Sequence, residues 1–172
     1  MVATSPLECD LKYYLGLIAL LVPLTASASL YVTIVEGLAG AAKYGQQFSE
    51  QVSSLGRSSE SMTDKENVYV FSGENASKEN LESHFATLKS TVKSEDRIVI
   101  FLIGHGSFDG KQYKFNIPGP DLTGEELLAI LDGFSAKLQL LVNTSSSSGA
   151  LLKPLENDSR IVITATRNGG ER

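Results

Sequence analysis

Five short apolar runs, rich in β-branched residues, recur along this chain: Leu30–Val35 (LYVTIV), Val68–Phe71 (VYVF), Arg97–Ile103 (RIVIFLI), Leu138–Val142 (LQLLV) and Arg160–Ala165 (RIVITA). Runs of this length, bounded by polar or glycine-rich stretches, read as buried strands. Amphipathic segments separate them. Ala41–Leu55 repeats Tyr44, Phe48, Val52 and Leu55 at about one-turn spacing, and a helix capped by Asn75 or Ser77 carries Leu81, Phe85, Leu88 and Val92. Asp121 or Thr123 opens a third, with Leu127, Leu128 and Leu131. Strand–helix alternation predicts an α/β fold, a three-layer αβα sandwich around a mostly parallel sheet.

The connecting segments carry their own signals. Glu36–Gly40 reads as a flexible turn, Arg57–Asn67 as a serine-rich surface loop, and Tyr113–Ile117 as a short hairpin paired near Phe108. Leu151 and Leu152 belong to a short helix ending near Pro154, and Thr166–Arg172 is a polar stub. The amino end stands apart. Tyr13–Leu24 is almost wholly apolar and leads to Thr25-Ala26-Ser27-Ala28, with Ala26 and Ala28 in the A-x-A positions of an export signal. The chain thus divides into residues 1–28, a signal peptide or N-terminal hydrophobic segment, and residues 29–172, one domain. The expected location is exported, periplasmic or secreted, with membrane anchorage only through that first segment.

Composition removes several classes of function. The 15 basic residues are outnumbered by 20 acidic ones and form no cluster, which argues against nucleic acid as a partner. Cys9 is the single cysteine, so neither an intrachain disulfide nor a cysteine zinc site can form. His84 and His105 fall on different elements without ligand spacing, so no metal site or other cofactor is expected. His84 lies beside the apolar stripe of the second helix and reads as a packed structural histidine.

Chemistry concentrates at two strand ends. Ile98–Ile103 runs into Gly104-His105-Gly106, and Leu138–Val142 runs into Asn143-Thr144-Ser145-Ser146-Ser147-Ser148-Gly149. Residues past the carboxyl ends of neighbouring parallel strands converge on one crevice. His105, between glycines, is free to act as a general base and then acid. The serine turn offers hydroxyl nucleophiles and, with Gly106, backbone amides for an oxyanion. Gly104-His-Gly106 with Gly110 does not match the dinucleotide fingerprint, and Gly106–Gln112 does not match the phosphate loop. Asn75, Asn143 and Asn157 each head a glycosylation sequon, of which Asn143 is expected to be too buried for use.

On these residues the chain resembles the caspase–haemoglobinase fold, and most closely the legumain-like peptidases of family C13, which include the GPI-anchor transamidase subunit. Those enzymes end one strand in His-Gly, as Ile103–Gly106 does here, and another in a Cys-x-Ser-Gly turn; counting back from Ser148-Gly149 places that cysteine at Ser146. Asn75–Leu81 is similar to the family's A-T-K-E-N helix start, Asp121–Leu127 to its substrate-side helix, and Arg160–Thr166 to the following strand with its T-A ending. The likeness covers residues 30–167.

The departures shape what the resemblance implies. Serine stands at 146, and no cysteine follows residue 9. The turn Gly37–Ala42 lacks the family's histidine-orienting Asn and its pocket-forming basic residues, and Thr144 replaces a pocket-lining acid. Asparaginyl specificity is therefore not implied, and the family's last strand is expected to be missing, as in a C-terminally truncated domain. The expected function is a legumain-like peptidase homologue, catalytically impaired because Ser146 replaces the nucleophilic cysteine. The alternatives are a serine-dependent hydrolase using Ser146 as nucleophile and His105 as base, with Gly106 and Ser146 amides holding the oxyanion, and a non-enzymatic peptide- or protein-binding module. A cysteine deliberately changed to serine is a further, lesser account of the residue at 146. The sequence leaves the oligomeric state open.

Overall fold

Arg97–Ile103 (β3) shows why its apolar run is continuous rather than alternating. Ile98, Ile100 and Leu102 are buried in one core, while Val99, Phe101 and Ile103 pack into a second. A strand covered on both faces needs apolar side chains at every position. In the computed structural model, which describes residues 27–167, β3 is the middle of a five-stranded sheet.

Leu30–Glu36 (β1) and Val68–Phe71 (β2) lie to one side of β3. Leu138–Asn143 and Arg160–Thr164, here β7 and β8, lie to the other, giving the order β2-β1-β3-β7-β8 with every pair parallel. Three short strands, Gly106–Phe108 (β4), Tyr113–Phe115 (β5) and Leu122–Thr123 (β6), form a separate antiparallel sheet above the carboxyl end of β3.

Helix α1 (Ala42–Glu60) sets Phe48 and Val52 on Val32, Ile34 and Ile103. On the opposite face, α2 (Lys78–Thr91) and α3 (Gly124–Asp132) bury Leu81, Phe85, Leu88, Leu127, Ile130 and Leu131 against β1, β3 and β7. The three-layer α/β sandwich expected from the alternation is therefore present. Beyond the reach of α1, the sheet leaves Leu138, Ile161 and Ile163 about half exposed.

Local signals held in most places and failed in two. The first helix runs past Leu55 to Glu60, so Arg57–Glu60 is helix rather than loop. Serines are neutral helix formers, and here tertiary contact decides: Ser59 is buried, and Thr63 just beyond donates its hydroxyl to the Leu30 carbonyl. The Glu36–Gly40 turn is not free to flex either, because Gly37 N–H donates to the Ile103 carbonyl at 2.8 Å and Leu38 N–H to Asn116 O at 2.8 Å.

Two caps follow the expected chemistry. Ser77 accepts from Asn80 N–H. Thr123, rather than Asp121, caps α3 in a full capping box with Glu126. The leader-like stretch falls almost wholly outside the described residues. Among those described, no helix is long and apolar enough to cross a membrane.

Candidate active site

The two strand ends are neighbours. β3 pairs with β7 so that Leu102 faces Asn143, and Thr144 N–H donates to the Leu102 carbonyl at 2.9 Å. The connections reverse direction between β1 and β3, the switch point where open α/β sheets form their crevice. His105 emerges there, with the loop after β1 on one side and the serine turn after β7 on the other.

Close approach explains the glycines. A Cβ on Gly104 would lie 2.9 Å from the Gly37 Cα, and one on Gly37 would lie 2.6 Å from Asn116 O. A Cβ on Gly106 would meet Ser145 Oγ at 2.6 Å and Ser146 O at 2.8 Å. Neither Gly104 nor Gly106 takes a positive φ, so what they supply is the absence of a side chain where backbones touch.

His105 is half-buried between two rings of α1, Tyr44 at 5.1 Å and Phe48 at 5.3 Å, both edge-on. Its Nε2 lies 3.1 Å from the Ala39 carbonyl oxygen. A carbonyl only accepts, so Nε2 carries the proton and the neutral ring keeps Nδ1 as its basic nitrogen. The loop after β1 thus orients the histidine through its backbone, without the asparagine that the Gly37–Ala42 sequence lacks.

The serines of the turn divide sharply. Ser145 and Ser148 are fully buried, Ser146 is exposed, and Ser147 adopts the left-handed conformation at φ 58°. Asn143 and Tyr113, both buried, surround Ser145. Asn143 Oδ1 accepts the Ser145 N–H at 3.0 Å, and Asn143 Nδ2 donates to the Tyr113 hydroxyl at 2.8 Å. Tyr113 and Ser145 share a 2.6 Å hydroxyl contact, and Ser145 Oγ donates to the Ser146 carbonyl at 3.2 Å. Burial raises the Tyr113 phenol pKa, although its bonds to Ser145 and Asn143 pull the other way.

Two amides at this edge are left without a backbone partner among the described residues. Asn116 N–H donates to His105 O, which makes Gly106 and Phe115 a non-hydrogen-bonded pair and leaves the Gly106 N–H unclaimed by the ladder. Ser146 N–H has no partner among the described residues. These are the two groups expected to hold an oxyanion. Gly106 lies against the Ser146 carbonyl, and His105 follows the neighbouring strand at the same edge of the sheet. Among the described residues, however, no hydrogen bond joins His105 to Ser146 Oγ.

Other candidates separate cleanly from this site. His84 accepts or donates at 2.9 Å with the buried Thr33 hydroxyl and packs among Tyr69, Phe71 and Phe85, the structural position expected of it. The glycine-rich Gly106–Gln112 stretch is a β-hairpin whose turn is held by Asp109 Oδ1 accepting from Lys111 and Gln112 amides. It presents no phosphate cradle. Asn143 is fully buried with both ends of its amide occupied, whereas Asn75 and Asn157 are exposed.

Tyr113, Asn143 and the Ala39 carbonyl were not foreseen as parts of the site. Asn143 ends an apolar strand with a polar side chain, a usable signal. Nothing in the hairpin marks Tyr113, and a backbone carbonyl leaves no trace in a sequence.

No curated protein matches the chain. The profile of the Peptidase C13 family matches residues 50–172, a span that takes in both strand ends, His105 and the serine turn, and begins within α1. With more than half of its length matched, the chain belongs to the Peptidase C13 family.

Proposed function

We propose that this chain is a legumain-like peptidase homologue that is catalytically impaired, its crevice keeping an oriented histidine without an efficient nucleophile. The observation that carries this reading is the pairing of an oriented histidine with an unactivated serine. His105 is anchored through Nε2 to Ala39 O, and its Nδ1 is left as a base. Ser146 stands exposed at the cysteine's place, with no hydrogen bond to that base among the described residues.

A thiol tolerates such looseness because a few per cent is already thiolate near neutral pH. A hydroxyl does not, since its proton must pass to an aligned base during attack. The Gly106 and Ser146 amides support an oxyanion site that the serine cannot exploit well.

The test is to compare the chain with Ser146→Cys. The original chain is expected to show no turnover of peptide substrates and no labelling by a fluorophosphonate. Ser146→Cys is expected to react with a peptidyl acyloxymethyl ketone at least about a hundredfold faster than the original chain, with loss of that reactivity in His105→Ala. Peptide mapping reads residue 146 separately from Cys9. Fluorophosphonate labelling of the original chain that disappears in Ser146→Ala overturns impairment and establishes the serine-dependent hydrolase instead.

A further inference from the structure

The hydroxyls behind the serine turn form a chain with only one consistent direction. Ser145 has a single hydroxyl proton, and it goes to the Ser146 carbonyl at 3.2 Å. The 2.6 Å contact must then be donated by Tyr113. The Tyr113 oxygen in turn accepts from Asn143 Nδ2, while Asn143 Oδ1 receives the Ser145 N–H. Four bonds close a loop from the end of β7, through the hairpin, to the peptide that follows Ser146. All three side chains are buried, with Asn143 and Ser145 at 0% exposure and Tyr113 at 3%.

We propose that Tyr113 is a positioning residue for Ser146. Its hydroxyl, acting through Ser145 and Asn143, holds the peptide plane before Ser145 and the one after Ser146, and so sets the plane between them, which carries the Ser146 N–H, on the side of Gly106. This rests on the reading of Ser146 as the nucleophile's place, and it assigns a role to a residue outside the two strand ends.

Three features make the brace specific. Gly106 is pressed against three of its atoms, since a Cβ there would lie 2.6 Å from Ser145 Oγ and 2.8 Å from both Ser146 O and Tyr113 OH. The brace therefore also fixes the distance between the histidine-bearing strand end and the turn. Ser147 follows in the left-handed region, a conformation a serine holds only when its surroundings determine it. The chain of donors runs one way and ends on the Ser146 carbonyl, so each bond polarises the next.

Tyr113→Phe removes one oxygen and keeps the ring, and Ser145→Ala removes the next hydroxyl in the chain. Two readouts test the proposal, and the first needs no chemistry at the site. In Tyr113→Phe, amide hydrogen exchange across Ser145–Gly149 is expected to accelerate by about tenfold or more while β1 and β3 keep their rates. In a chain that also carries Ser146→Cys, Tyr113→Phe is expected to lower the rate with a peptidyl acyloxymethyl ketone about tenfold while iodoacetamide reacts as before, because only the peptidyl reagent depends on alignment.

Ser145→Ala should move both readouts in the same direction. Unchanged exchange in the turn overturns the proposal, as does an equal slowing of both reagents, which marks a merely structural role. If Ser146→Cys shows no preference for the peptidyl reagent, the peptidase reading of the site fails, and the exchange rates alone then decide the brace.

Discussion

Protonating His84 should destabilise the fold, and the size of the effect can be worked from its surroundings. The ring lies among Tyr69, Phe71 and Phe85, with Nε2 on the Thr33 hydroxyl. Burial lowers its pKa from 6.5 to about 4. Between those values the unfolded chain binds a proton that the folded one refuses, so stability rises with pH across that window. The contribution is fully present above 6.5 and is lost as pH falls toward 4.

At about 1.4 kcal/mol per pH unit, the span sets a ceiling of about 3 kcal/mol. The ring keeps some contact with solvent, and screening reduces the expected loss to about 1–2 kcal/mol. The assay is urea unfolding of the original chain and of His84→Phe at several values between pH 7 and pH 4. His84→Phe leaves the Thr33 hydroxyl unpaired and should be less stable at pH 7 by about 1–3 kcal/mol. Its stability should nevertheless fall less steeply with acid, so the two curves converge. Parallel curves, or a His84 ring that titrates near 6.5 by NMR, would refute the reasoning.

Two further substitutions test the packing of the site and of its supporting helix. Gly106→Ala places a methyl 2.6 Å from Ser145 Oγ and 2.8 Å from Ser146 O, contacts that only a backbone shift can relieve. It should cost about 1–3 kcal/mol in thermal or urea unfolding, and a loss below a few tenths shows that the turn is looser than described. Thr123→Ala removes the hydroxyl half of the α3 capping box and should cost about 1 kcal/mol. Thr123→Ser should restore most of that loss, whereas equal effects of Ala and Ser point to the threonine methyl instead.

What was legible in the sequence follows from the range of the forces involved. Strand runs and helical stripes reflect burial repeated along many residues, so β2 and β3 were placed to the residue and the layer order followed from alternation. The end of α1 was missed because the serine pair Ser58-Ser59 reads as loop although Arg57 and Glu60 favour helix, and burial of Ser59 with a contact from Thr63 to β1 settled it. The same contrast runs through the site. His105 and Ser146 were visible because strand ends are visible, but the groups that orient them are a backbone carbonyl at Ala39 and a phenol at Tyr113.

The Gly-His-Gly motif shows how far such a signal reaches. Its glycines are accounted for by packing, Gly104 against Gly37 and Gly106 against the serine turn, and a protein with no chemistry at this edge would need them equally. The histidine is not so explained. It is held edge-on by Tyr44 and Phe48, with one nitrogen committed to Ala39 and the other uncommitted among the described residues, and unlike the similarly packed His84 it stands at the carboxyl end of β3. On the proposed reading, His105 is the oriented half of a catalytic pair, and Ser146 lacks the bond to it that a hydroxyl nucleophile requires.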